Sequence, residues 1–152
     1  MRDAEYDRFG PWLIEISEED PPPPLFLPYL TREEEPQISV KIPRNIERRN
    51  AHPGMNLYDY LISLYKDDLV ILKRVGEDDV QQDIFCYRDI LYLHYGEHLL
   101  LGFLRLGTAV STYDLSFNTT AKETMHRVVD LIREDYNAGQ KRVLTAEQAD
   151  IS

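Results

Sequence analysis

The chain is 152 residues long, 43% hydrophobic and 11% aromatic, enough to bury one core with flanking arms. Its 27 acidic side chains outnumber the 17 basic ones, for a formal net charge of -10, which excludes the broad cationic face that nucleic acid requires and disfavours a membrane surface. No stretch approaches the roughly 18 consecutive apolar residues of a membrane span, and the N-terminal "MRDAEYDRFG" has no apolar signal-peptide run.

Cys86 is the single cysteine and cannot form a disulfide within the chain, so it is expected to be a small core or half-buried residue in "DIFCY" of a cytoplasmic globular protein. Residues 1–36 read as an extended acidic and proline-rich arm, with "PWLIEIS", "EEDPPPP", "LFLPYL" and "TREEEP" in succession. The run Pro21 to Pro24 can join neither a helix nor a central ladder and favours polyproline II geometry. It lacks the flanking arginines of a PxxP docking ligand, so a stiff spacer is expected. On either side, Trp12, Leu13, Ile14, Ile16, Phe26, Tyr29 and Leu30 are too apolar for a free tail and should pack on the core.

"QISVKIP" alternates β-branched Ile38, Val40 and Ile42 with Ser39 and Lys41, the period of a strand, and stops at Pro43. From Leu57 the pattern is continuous: "LYDYLISLY", "LVILKRV", "VQQDIFCY", "DILYLHY", "LLLGFLRLG" and "AVSTYDLSF", with turns expected at "KDD", "GEDD" and "GEH". Segments joined so briefly pair as antiparallel hairpins, which gives a β-meander of six or seven strands. In "NTTAKETMHRVVDLIREDYNAG" the residues Ala121, Met125, Val128, Val129, Ile132 and Tyr136 recur at three and four, the apolar stripe of an amphipathic helix. Thr120 with Glu123 has the spacing of a capping box, Asn118 and Thr119 are alternative caps, and Gly139 is the expected stop. Residues 140–152 lack such a stripe and are expected to form a flexible tail. The fold class is therefore α+β, a bent sheet or open barrel over residues 37–139 closed by a C-terminal helix.

"DLVILKRV", "YRDILYL", "LLLGFLRL" and the closing "TMHRVVDLIRE" follow one another as strands and helix do in the pleckstrin-homology-like superfold. From Ile38 to Tyr136 the chain resembles the bacterial members of that fold. The resemblance implies an interaction or assembly module, not a catalyst, and no cofactor. Lipid-binding members present basic residues on and after the first strand-to-strand loop. Taken as "YKDDL", that loop places Asp67 and Asp68 against a phosphate, and Lys73 and Arg74 do not offset them. Eukaryotic members tend to carry a Trp in the last helix, whereas the only Trp here is Trp12.

Catalytic and metal-binding patterns are sparse. His94 and His98 in "HYGEH" have the spacing of a zinc-binding helix, but Gly96 and the surrounding alternation assign them to a turn between strands. His126 lies off the helical stripe and is expected in solvent. The pairs Asp67–Asp68 and Asp78–Asp79 fall at turns, where Asp bonds its own backbone. No residue is assigned as catalytic, metal-binding or cofactor-binding.

The candidate site is "KIPRNIERRNAHPGM". Lys41, Arg44, Arg48 and Arg49 against Glu47 give a local charge of about plus three, with His52 opening the turn that ends the run. These five residues are candidates for holding a carboxylate or phosphate. Either the connector clamps the acidic pieces "SEED" and "REEE" of the same chain, or it docks an acidic partner segment. The function expected is a non-catalytic interaction domain that binds a protein partner or itself through a sheet edge or the connector 41–52. A small hydrolase whose site is assembled only by the fold, and a binder of anionic lipid head groups, are the alternatives.

Overall fold

The computed structural model describes residues 13–44 and 55–151, with side chains through residue 138. Among these residues, eight antiparallel strands form two sheets. The larger has the order β1 (Ile14–Glu15), β2 (Ile38–Pro43), β3 (Tyr58–Leu64), β4 (Asp68–Val75) and β5 (Asp79–Cys86). The smaller contains β6 (Tyr92–His98), β7 (Leu101–Gly107) and β8 (Thr112–Asn118), and the long helix α1 (Lys122–Ile151) follows. Short 3-10 turns occupy Pro24–Tyr29, Tyr87–Asp89 and Thr119–Ala121. Among the described residues no strand of one sheet pairs with a strand of the other, so the sheets do not close into a barrel. The meander predicted from Ile38 onward is present. The eighth strand comes from the arm, where Ile14 pairs with Lys41 and Glu15 with Val40.

β3 and β4 read as near-continuous apolar runs because both of their faces are covered, the condition under which a strand loses its alternation. Ile62 and Leu64 of β3, with Leu69 and Ile71 of β4, face the main core beside Val40, Leu104, Leu115, Met125 and Ile132. Tyr58 and Leu61, with Val70 and Leu72, face the other way, into a second cluster around Phe26. Phe26 belongs to the arm's 3-10 turn and has no exposed surface, and Leu25 and Leu30 pack beside it. The arm thus forms a layer over the outer face of the larger sheet.

The smaller sheet holds a correction. The turn expected at "GEH" lies inside β6, where Gly96 pairs with Phe103, Glu97 with Gly102 and His98 with Leu101. The true turn residues are Leu99 and Leu100. Gly96 makes room and does not punctuate the chain: a Cβ there would enter the ring of its cross-strand neighbour Phe103. The same pairing recurs at Gly102 under Phe117 and Gly107 under Tyr92. Each glycine accepts a partner's aromatic ring over its backbone, which pins the register of three strands.

At the helix start, Asn118 Oδ1 accepts the Thr120 backbone N–H at 2.9 Å, so Asn118 is the cap among the three candidates. Met125, Val128, Val129 and Ile132 are buried and Tyr136 is half-buried against them, as the stripe predicts. The helix does not stop at Gly139 but continues to Ile151. A lone interior glycine costs about 1 kcal/mol relative to alanine, which the helix-forming residues around it outweigh. Among the described residues, no helix is long and apolar enough to cross a membrane.

Candidate functional site

Of the five residues selected from the sequence, Lys41 and Arg44 lie at β2, and Arg48, Arg49 and His52 lie outside the described residues. Lys41 is on the outer face of β2, beneath the arm, and is buried. Its Nζ donates to the Pro21 carbonyl at 3.1 Å and lies 4.7 Å from the centre of the Tyr58 ring. Arg44 grips Glu77 of the β4–β5 turn with two nitrogens, at 2.8 and 3.1 Å, and donates to the Asn56 carbonyl. Lys41 thus holds the arm's backbone, and Arg44 fastens two loops at the end of the larger sheet.

An ion pair between arm and core exists with the opposite polarity to the one expected for Arg44. Arg32 of the arm donates to both carboxylate oxygens of Asp68, at 2.8 and 2.7 Å, with its guanidinium over the Tyr65 ring at 4.3 Å. The Arg32 hydrogen bond holds the Asp68 carboxyl below the usual carboxylate range. At the other end of the arm, Glu15 meets Arg127 of α1 at 2.7 Å. Sequence reasoning assigned Asp68 only a turn role, and a partner 36 positions away leaves no local signal.

His94 and His98 are both on β6, not in a turn. Four positions along a strand separate two residues by about 13 Å, too far for one ion. Among the described residues no group of three or more His, Cys, Asp and Glu side chains is placed around a common point. His126 is not merely solvated: its Nε2 lies 3.2 Å from Glu97 Oε1, which also accepts the Tyr95 hydroxyl at 2.7 Å, and its ring meets Tyr95 edge-on. This trio fastens the start of α1 to β6.

Two clefts border the smaller sheet. One, of about 390 Å³, lies between the sheets and includes Arg44, Asp59, Tyr60, Leu101 and Asp114. Its charged groups are engaged: Arg44 with Glu77, Asp59 with Arg74 at 2.7 Å, and Asp114 with Arg105 at 3.4 Å. The other, of about 410 Å³, runs between the start of β6 and α1, lined by Ile90, Leu91, Tyr92 and Leu93 on one side and Ile132, Arg133, Tyr136 and Asn137 on the other. Leu91 is 69% exposed there, and Arg133 is exposed with no ion pair among the described residues.

β6 is the end strand of its sheet, so one side of its backbone has no strand partner among the described residues. An edge is normally guarded by Lys, Pro or charges along the strand. β5, the end of the larger sheet, carries Asp79 and Asp83. The β6 sequence "YLHYGEH" has neither Lys nor Pro, and its only carboxylate, Glu97, is held by Tyr95 and His126 at the far end. The sequence did not reveal the groove, because Ile90–Leu93 and Ile132–Tyr136 lie some 40 positions apart and meet only through the fold.

No protein-family model matches the chain, and searches of curated proteins and of solved structures found no match.

Proposed function

We propose that the chain is a non-catalytic pleckstrin-homology-like interaction domain that binds an extended segment of a protein partner along β6. The fold assignment is supported by the order of elements after the arm: a four-stranded antiparallel run β2–β5, a three-stranded run β6–β8, and a closing helix. The binding mode rests on one observation, a β6 edge with no strand partner among the described residues, beside an apolar groove with Arg133, which has no ion pair among those residues, at its rim. An added strand would satisfy the exposed backbone groups, alternate side chains would enter the groove, and Arg133 would receive a carboxylate. The partner segment is accordingly apolar at alternate positions with an acidic residue among them. Engagement of the carboxylates in the inter-sheet cleft supports a binding role over the hydrolase alternative.

A display library of extended peptides selected on the full chain tests the reading. Enriched peptides should carry that pattern and lose at least tenfold in affinity to the Leu91→Asp/Arg133→Glu variant, which changes only exposed positions and should melt as the wild type does. Enriched peptides that bind this variant unchanged would refute the site.

A second reading is favoured by one feature of the topology. With β2 as the first strand of the meander, its first connection is the basic stretch from Arg44 to Leu57, and "YKDDL" is the second. In lipid-binding relatives of the fold the first loop is the basic one, so anion docking through Arg48, Arg49 and His52 stands as the alternative. Reversal of Arg48 and Arg49 to Glu separates the two, since it abolishes anion docking and leaves binding along β6 intact.

A further inference from the structure

The tip of the β6–β7 hairpin is built against the usual preferences of turns. Its two residues, Leu99 and Leu100, connect the paired His98 and Leu101. Leu99 has φ 55°, the left-handed region that tight hairpins ordinarily assign to Gly, Asn or Asp. Leu99, Leu100 and Leu101 are 86%, 74% and 58% exposed, and none belongs to either hydrophobic cluster. The tip is nevertheless held: Thr119 donates from its backbone N–H to the Leu100 carbonyl at 3.0 Å and from its hydroxyl to the Leu99 carbonyl at 3.3 Å. Three contiguous leucines are thus presented in a strained turn anchored to the 3-10 turn that precedes α1, an arrangement that internal packing does not explain.

Size, shape and charge select the occupant. The tip exposes on the order of 400 Å² of apolar surface, about half of what each side of a stable protein interface contributes. A formal charge of -10 opposes a second copy of the chain and anionic lipid alike. Glu97 and His98, which lead into the turn, and Lys122, whose charge acts on Glu97, are of mixed sign. A neutral bilayer meets none of these objections, since its interface deforms around a convex knob and accepts leucine at the acyl boundary. We propose that Leu99, Leu100 and Leu101 form a membrane-touching tip that inserts into the interface of a zwitterionic bilayer. This contact is independent of the groove beside β6 and would leave that groove open.

Flotation of the full chain with phosphatidylcholine vesicles tests it. Wild type should float, and the bound fraction should fall at least tenfold in Leu99→Gly/Leu100→Ser. That variant should melt no lower than wild type, because glycine relieves the positive φ. In a Trp12→Phe background, Leu100→Trp should shift its emission to the blue on vesicle addition and be quenched by brominated acyl chains. The proposal is overturned if wild type stays with the unbound protein, if the variant floats equally well, or if the leucines instead drive dimerisation in solution without flotation.

Discussion

Asp135 on α1 is the one side chain among the described residues with a buried polar atom left unpaired, its Oδ2. Burial pushes its carboxyl above the usual carboxylate range, opposed by the neighbouring polar side chains of Gln37 and Tyr87 and reinforced by the like charges of Glu134 and Asp67. A carboxyl with a higher pKa folded than unfolded retains more protons in the native state. Its contribution therefore weakens stability as pH rises from the unfolded value of about 3.9 through the folded one. Asp135→Asn removes that titration, so the variant's denaturation midpoint should gain on wild type as pH rises above the unfolded value of about 3.9. Parallel curves would show that Asp135 does not titrate in this way. Gly102 makes a second residue-scale case. Its missing side chain is space for the buried Phe117 ring, so Gly102→Ala should cost about 1–3 kcal/mol by overpacking. Gly107→Ala meets the Tyr92 ring, which is 39% exposed and able to swing outward, and should cost less. Equal unfolding midpoints for the two variants in urea would contradict the difference.

At the scale of elements, the helix was the most legible part of the chain. A stripe at three and four has one structural solution, and Met125, Val129 and Ile132 are buried as that pattern requires. Ile132→Ala should cost roughly 2–5 kcal/mol, measured by chemical denaturation, because the side chain is buried in the main core cluster. A midpoint unchanged within error would mean that the helix does not pack through this face. Strand existence was equally readable, and strand ends were not. "GEH" carries the composition of a turn, yet the ladder runs through it and the chain reverses at two leucines. Local turn chemistry lost there to cross-strand pairing, since Gly96 is worth more as room for Phe103 than as a bend.

For the whole molecule, the question is what holds the arm on the larger sheet. The Arg32–Asp68 pair is conspicuous but partly exposed, and such pairs contribute about 0–1 kcal/mol. Phe26 is fully buried among Leu57, Tyr58, Leu61 and Leu72, and truncating a phenylalanine in such a site costs roughly 3–5 kcal/mol. Phe26→Ala should therefore release the arm, seen as faster proteolysis between residues 17 and 37 and as dye binding to the uncovered face, whereas Arg32→Ala should do little. The reverse ranking would show that charge, and not burial, fixes the arm.

Composition and periodicity by themselves determined the class of the fold, the C-terminal helix, the antiparallel order of its strands and the apolar character of the arm. These are local properties, set by the alternation of side chains along a strand and their recurrence around a helix. The tertiary structure alone decided which charges meet. Arg44 reaches Glu77 and Arg32 reaches Asp68 across gaps of 33 and 36 positions, distances over which a sequence carries no preference for one carboxylate over another. It also decided that β6 ends its sheet beside α1, and that three leucines at a hairpin tip stay outside both clusters. An apolar run reads the same whether a neighbouring layer covers it or leaves it bare, because the coverage comes from segments far away in the chain.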